Sequence, residues 1–269
     1  MKLIDTHAHL QFKAYDPDRD IVVKRNSDEL EAVINVGAAI DSSESGVELA
    51  EKISNFYASV GVHPHHSDQW NSETLRKLSA LARQEKVVAI GEIGLDLHQY
   101  KPLRVLRSDE LEDYPKPQLK NQTKMLHDQT EIAIKLKLPV IFHCRDAYDE
   151  LYEEIKQYRG KLTGVVHCFM GNWQQAVKFL NFGLYISFTG NLTYKNNDAL
   201  REIAKKIPDE QILIETDAPY LPPEPYRGQR NEPIYVKIVA STLSNIKGWD
   251  LQKTIEKTSQ NAKNLFKIT

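Results

Sequence analysis

Cysteine is nearly missing from this sequence. The two it has, Cys144 and Cys168, each directly follow a histidine; they form no CxxC pair and build no disulfide framework. Apolar runs are short, and none approaches the roughly 18 residues that a membrane span requires. The opening Met1-Lys2-Leu3-Ile4-Asp5-Thr6-His7 has neither the h-region nor the cleavage site of a signal peptide, so a cytoplasmic protein is expected. Neither charge dominates: 35 Lys and Arg face 37 Asp and Glu, a formal net charge of -2. That balance excludes a polycationic nucleic-acid coat and a disordered acidic tail. It leaves room for a local basic rim around a cleft. No internal repeat, low-complexity tract or linker rich in Gly, Ser or Pro interrupts the 269 residues, so a single domain over 1–269 is expected.

What the sequence does have is a rhythm. Short β-rich apolar runs recur at 3–5, 32–36, 56–62, 87–93, 140–143, 165–169, 184–188 and 212–216, with helical stretches between them. Several runs are continuous rather than alternating, as strands covered on both faces should be. Residues 122–138 place Met125, Leu126, Ile132, Ala133 and Leu136 on one helical face, and Pro139 closes the stretch. Further helices are expected at 146–158, 198–207, 235–246 and 250–266, whereas the helical pattern at 43–53 is poor. Eight strands alternating with helices predict an α/β fold, a single-domain (β/α)8 TIM barrel. Residues 99–120 break the rhythm with a polar stretch containing Pro102, Pro115 and Pro117, either a solvated surface excursion or a lid over the cleft.

The polar residues with chemical potential gather at the carboxyl ends of these runs. His7 and His9 end the first, and His63 and His65 follow the third. Glu92 and Asp96 close the fourth, His143 the fifth, His167 the sixth, and Glu215 and Asp217 the eighth. In a barrel those ends form one face, where active sites are built. Each candidate alone has a plainer reading: a core histidine, a salt bridge between Glu92 and Arg145, a turn cap at Asp217. Together, four histidines and two carboxylates on five strands point to divalent-cation binding, since imidazole with carboxylate suits Zn or Mn and carboxylates admit Mg. The cysteines alternate away from the histidines and are read as packing residues.

These residues stand in stretches that resemble the TatD family of metal-dependent deoxyribonucleases and hydrolases, within the amidohydrolase-like barrel superfamily. The stretches are Asp5-Thr6-His7-Ala8-His9-Leu10, Gly61-Val62-His63-Pro64-His65, Gly91 to Asp96, Pro139 to Ala147, His167 to Gly171, Ile214 to Leu221 and Tyr226 to Pro233. The resemblance implies two divalent metal ions (Mg, Zn or Mn). His7 and His9 would bind one, His143 and His167 the second, Glu92 would bridge them, and Asp217 would ligate the first and act as general base, making Asp217 and Glu92 the catalytic pair. It also implies phosphodiester hydrolysis of DNA by metal-activated water, as a 3′–5′ exonuclease on single strands. His63, His65, Arg145, Glu215, Arg227 and Arg230 are candidate substrate contacts, with structural roles as the alternative. No membrane and no obligate protein partner are implied, and a monomer is expected. Residues 99–120 depart from the family pattern, which bears on substrate range rather than chemistry. A small-molecule ester, amide or phosphotriester hydrolase, or an aminoacyl-tRNA deacylase, remains open on the same site, as does a barrel that only binds.

Overall fold

A computed structural model describes residues 2–99 and 119–268. Eight strands appear in chain order: β1 (Ile4–Ala8), β2 (Ala32–Val36), β3 (Phe56–Val60), β4 (Val87–Asp96), β5 (Val140–Arg145), β6 (Gly164–Val166), β7 (Tyr185–Phe188) and β8 (Ile212–Ile214). They pair in parallel, each with its successor, in one sheet. The sheet curls nearly closed at its upper end, where the His9 N–H donates to the Ala218 carbonyl (2.7 Å) and the Asp217 N–H to the His7 carbonyl (2.8 Å). Between the strands run α1 (Arg19–Glu29), α2 (Ile40–Lys52), α3 (Ser72–Leu81), α4 (Leu119–Leu136), α5 (Tyr148–Ile155), α6 (Trp173–Phe182) and α7 (Asp198–Lys206). After β8 come α8 (Val236–Lys247) and α9 (Leu251–Phe266). The fold is a (β/α)8 TIM barrel.

Period-two alternation divides the strand side chains between two cores. Val33, Val140, Phe142, Val166, Ile212 and Ile214 face outward into the large apolar layer beneath the helices. Ile34, Ile141, Val165 and Leu213 face inward and pack with Ala262, Leu265 and Phe266 of α9, which plugs the lower end of the barrel. Asn261 fixes that plug by donating through Nδ2 to the carbonyls of Asp209 and Ile212, both 2.8 Å away. Two residues beyond Ile141, Val165 and Leu213 stand His143, His167 and Glu215. The alternation that buries aliphatic side chains below thus brings titratable ones to the interior above.

Strand β4 is the long one. Its pairing with β5 shifts register between Ile90 and Ile93, which resets its alternation around Glu92. The strands approach unusually closely there: a Cβ added at Gly94 would lie 1.9 Å from the His143 carbonyl oxygen. Glycine is therefore required for β4 to reach Asp96 alongside the His143 strand.

Several boundaries move relative to the sequence pattern. The first strand runs to Ala8 rather than residue 5, and the fourth to Asp96. The sixth and eighth stop at Val166 and Ile214, because the chain turns at Cys168 (φ 45°) and Asp217 (φ 57°), left-handed values that no strand sustains. The helix expected at 146–158 is α5 followed by a 3₁₀ turn, Lys156–Tyr158. The weakly patterned stretch at 43–53 is helical, as α2. Most of residues 99–120, expected as an excursion or lid, lies outside the described residues.

Candidate metal centre

Six side chains from five strand ends meet on the upper face. His7 Nε2 and His9 Nε2 are 3.2 Å apart. Asp217 Oδ1 lies 3.7 Å from the first and 3.4 Å from the second. Glu92 Oε2 lies 3.6 Å from His7 Nε2 and 4.0 Å from His9 Nε2. Four ligands about 2.1 Å from a small divalent ion sit about 3.4 Å from one another in a tetrahedral shell. The ligand atoms of His7, His9 and Asp217, 3.2–3.7 Å apart, thus have spacings close to those of a coordination shell. The tautomer agrees. His9 Nδ1 lies 2.7 Å from the Val36 carbonyl, which only accepts, so Nδ1 carries a proton and the neutral ring presents its lone pair on Nε2. His7, His9 and Asp217 could hold a metal ion.

The other oxygen of Glu92 serves a second group. His143 Nδ1 is 2.7 Å and His167 Nε2 2.6 Å from Oε1, with His63 Nε2 3.7 Å away. His63, Glu92 and His143 form another group that could hold a metal ion. Glu92, 5 % exposed, is therefore shared between the two halves. Burial pushes its carboxyl up, but the charges of His167 and His63 and hydrogen bonds from His143 and His167 outweigh this and hold it well below the usual carboxylate range. No structural salt bridge to Arg145 accounts for it, since its partners are imidazoles. Arg145 instead stands exposed at the end of β5.

Carboxylates brace the far sides of the second group. His143 Nε2 faces Asp96 Oδ2 at 3.4 Å, and the same oxygen meets His65 Nε2 at 2.7 Å. His167 Nδ1 is 3.2 Å from Glu215 Oε1. Glu215 also accepts from the Cys168 N–H (2.8 Å) and from Ser187 Oγ (2.7 Å). Glu215, a candidate either for substrate contact or for orienting a ligand, is 1 % exposed and sits behind the His167 ring. His63 and His65 lie beside the cluster, the His63 ring meeting that of His143 edge-on at 4.2 Å.

The arginines after β8 differ. Arg230 is engaged elsewhere: its guanidinium forms a fork on Asp18 (2.6 and 2.7 Å) and lies over the Tyr15 ring at 4.5 Å. This clamps the loop to the start of α1, which is the salt-bridge alternative of the sequence reading. Arg227 is largely exposed and stacks over Tyr194 at 4.4 Å. Both cysteines pack as expected, with burial pushing their thiols up, away from thiolate character.

Sequence reasoning passed over Asp5. Fully buried, its carboxyl group, pushed well up from its ordinary value by burial, meets Thr216 Oγ1 (2.5 Å), the Thr216 N–H (2.9 Å) and the His7 N–H (3.2 Å). It ties β1 to the segment that carries Asp217, so both ligand-bearing stretches share one anchor. The signal was present, since Asp5 stands two residues before His7.

Comparison with known proteins agrees with this geometry. The sequence pattern of TatD related DNases matches residues 4–267. The chain belongs to the TatD family. It is 35 % identical over 268 residues to a metal-dependent hydrolase of Bacillus subtilis named YabD, covering 99 % of each chain. It is 34 % identical over 273 residues to a protein of Citrobacter koseri named 3′-5′ ssDNA/RNA exonuclease TatD, again with 99 % of each covered. Among solved structures, the TatD homologue YJJV of Escherichia coli superposes with a TM-score of 0.86 at 29 % identity, covering 99 % of this chain and 98 % of that one. The protein is a TatD-type metal-dependent hydrolase. Among the described residues, no helix is long and apolar enough to cross a membrane.

Proposed function

We propose that this TatD protein hydrolyses phosphodiester bonds of nucleic acid, shortening single-stranded DNA from its 3′ end with the help of two divalent cations. The observation that carries the reading is the sharing of Glu92: one oxygen faces His7 and His9, the other His143 and His167. A carboxylate with both oxygens so placed is suited to bridging two ions. His7, His9 and Asp217 would hold the first, and His143 and His167 the second. When bound, such ions acidify water and neutralise charge building on phosphoryl oxygens.

The chain's own groups supply the rest. Asp217, held on the turn after β8 with its side chain 14 % exposed, reaches solvent where Glu92 at 7 % scarcely does. Asp217 would take the proton of the attacking water. The relative named as an ssDNA/RNA exonuclease supports nucleic acid as the substrate.

End-labelled single-stranded DNA incubated with Mg²⁺ tests this, comparing the native protein with Asp217→Asn. Stepwise shortening by the native protein alone is expected, with the variant slower by about 10²–10⁴-fold. Equal activity in both would overturn the role of Asp217. No cleavage by the native protein, with Zn²⁺ and Mn²⁺ also supplied, would overturn DNA as the substrate.

A further inference from the structure

An aromatic ring stands at the lip of the ligand cluster, three residues past Asp217. Tyr220 is 54 % exposed, the aromatic member among the exposed large apolar side chains of the described residues. Its backbone is nevertheless fixed. The Tyr220 N–H donates to the Asp217 carbonyl (2.9 Å), and the Tyr220 carbonyl accepts from Asn231 Nδ2 (2.6 Å). Asn231 is fully buried and also donates to the Thr216 carbonyl (2.9 Å), so one side chain anchors both the ligand turn and the ring's attachment point. The ring centroid lies 6.2 Å from that of His9, at 70° to it, and 6.5 Å from that of Phe12, at 75°. Phe12 in turn stacks on His9 at 4.5 Å. The Tyr220 ring therefore stands edge-on to a stacked His9–Phe12 pair, on a backbone with little freedom.

The loop continues outward from there. The Tyr194 hydroxyl donates to the Pro222 carbonyl (3.0 Å), and the Arg227 guanidinium lies over the Tyr194 ring. Aromatic surface beside the ligands, then an exposed cation propped on a second ring, is the sequence of groups that a single strand meets in a non-specific binding groove: stacking for a base, then charge for a phosphate.

We propose that Tyr220 is the stacking platform for the nucleobase next to the scissile phosphate, with Arg227 meeting a neighbouring backbone phosphate. The proposal rests on the nuclease reading given above. It adds why the substrate would be single-stranded, since a base can lie on Tyr220 only when unpaired and free of its own stack. It also makes cleavage tolerant of sequence, because every base offers a π-face.

The test compares two end-labelled strands, one ordinary and one with baseless sugars at its last two 3′ positions, cut by native protein, Tyr220→Phe, Tyr220→Leu and Tyr220→Ala. On the ordinary strand Tyr220→Ala and Tyr220→Leu are expected to raise KM roughly 5- to 100-fold, and Tyr220→Phe to remain near native. On the baseless strand all four proteins are expected to perform alike, near the level of Tyr220→Ala on the ordinary strand. Equal losses on both strands, or none on either, would overturn the platform while leaving the nuclease reading intact. Failure of the native protein on the ordinary strand would remove that reading and the platform with it.

Discussion

The two sides of the ligand cluster use different braces. On the β1–β8 side the supports are neutral or backbone groups, with the Val36 carbonyl behind His9 and the Asp5–Thr216 tie beneath His7 and Asp217. On the β4–β6 side, His143 stands between Glu92 and Asp96, and His167 between Glu92 and Glu215. A carboxylate favours the protonated form of a ring more strongly than a carbonyl does, and His9, which faces Asp217 and Glu92 as well as the Val36 carbonyl, is itself raised above its ordinary value despite its burial. The rings of His7 and His167 stack at 4.1 Å yet respond in opposite directions. Burial, with the nearby His167 charge, lowers His7 from its ordinary value. At His167 burial also opposes the charge, but Glu92 and Glu215 outweigh it and raise the ring well above that value. Touching imidazoles cannot easily both be charged, and the carboxylates of Glu92 and Glu215 favour charge on His167.

Glu92 is common to both sides, so Glu92→Gln should break the comparison most severely. Hydrolysis is expected to fall by about 10³-fold or more, with bound divalent metal lost from the protein by elemental analysis. Retention of a full metal complement would mean that Glu92 does not join the two sides.

Next come the braces themselves. Glu215→Gln removes charge from behind His167 and is expected, as its largest effect, to weaken divalent-ion binding about 10- to 100-fold in a chelator competition. Asp5→Asn should do the reverse. It disturbs buried hydrogen bonds beneath the first group and is expected to cost about 1–3 kcal/mol of stability in denaturant unfolding. Matching profiles for the two variants would erase the distinction between an electrostatic and a mechanical brace.

The smallest effect belongs to the clamp after β8. The Arg230 hydrogen bond holds the Asp18 carboxyl below its ordinary value. Its contribution is thus present above the unfolded value, near pH 4, and lost as pH falls through the lower folded value. Arg230→Ala should lower the thermal midpoint slightly at neutral pH, and the gap from native should close as pH falls below the unfolded value. A gap unchanged by acid would assign the effect to packing on Tyr15 instead.

The barrel was legible because strands covered on both faces leave unbroken apolar runs, and all eight runs became strands. Their ends were less so. Cys168 and Asp217 turn the chain by left-handed backbone, which no hydrophobic pattern announces. Helix α2 was faint because it buries Ser43, Gly46, Val47 and Ala50, small residues that pack closely against the sheet while contributing little apolar signal. In the site, the ligand candidates stood out as polar interruptions at strand ends. Of the groups that aim them, Asp96 and Glu215 stood out in the same way, but those on the first side did not. The Val36 carbonyl has no side-chain signature, and the pairing of Asp5 with Thr216 spans 211 positions, so only folding brings it about.

The plug formed by α9 has a consequence for the order of events during synthesis. Leu265 and Phe266 belong to the same interior cluster as Ile4 and Ile34, so the first strands made wait for the last helix before their inner faces are covered. A nascent chain carrying all eight strands still exposes that aliphatic floor to solvent, and to other chains. Closure of the lower barrel is thereby a late, long-range step, the slow kind that exposes folding chains to aggregation.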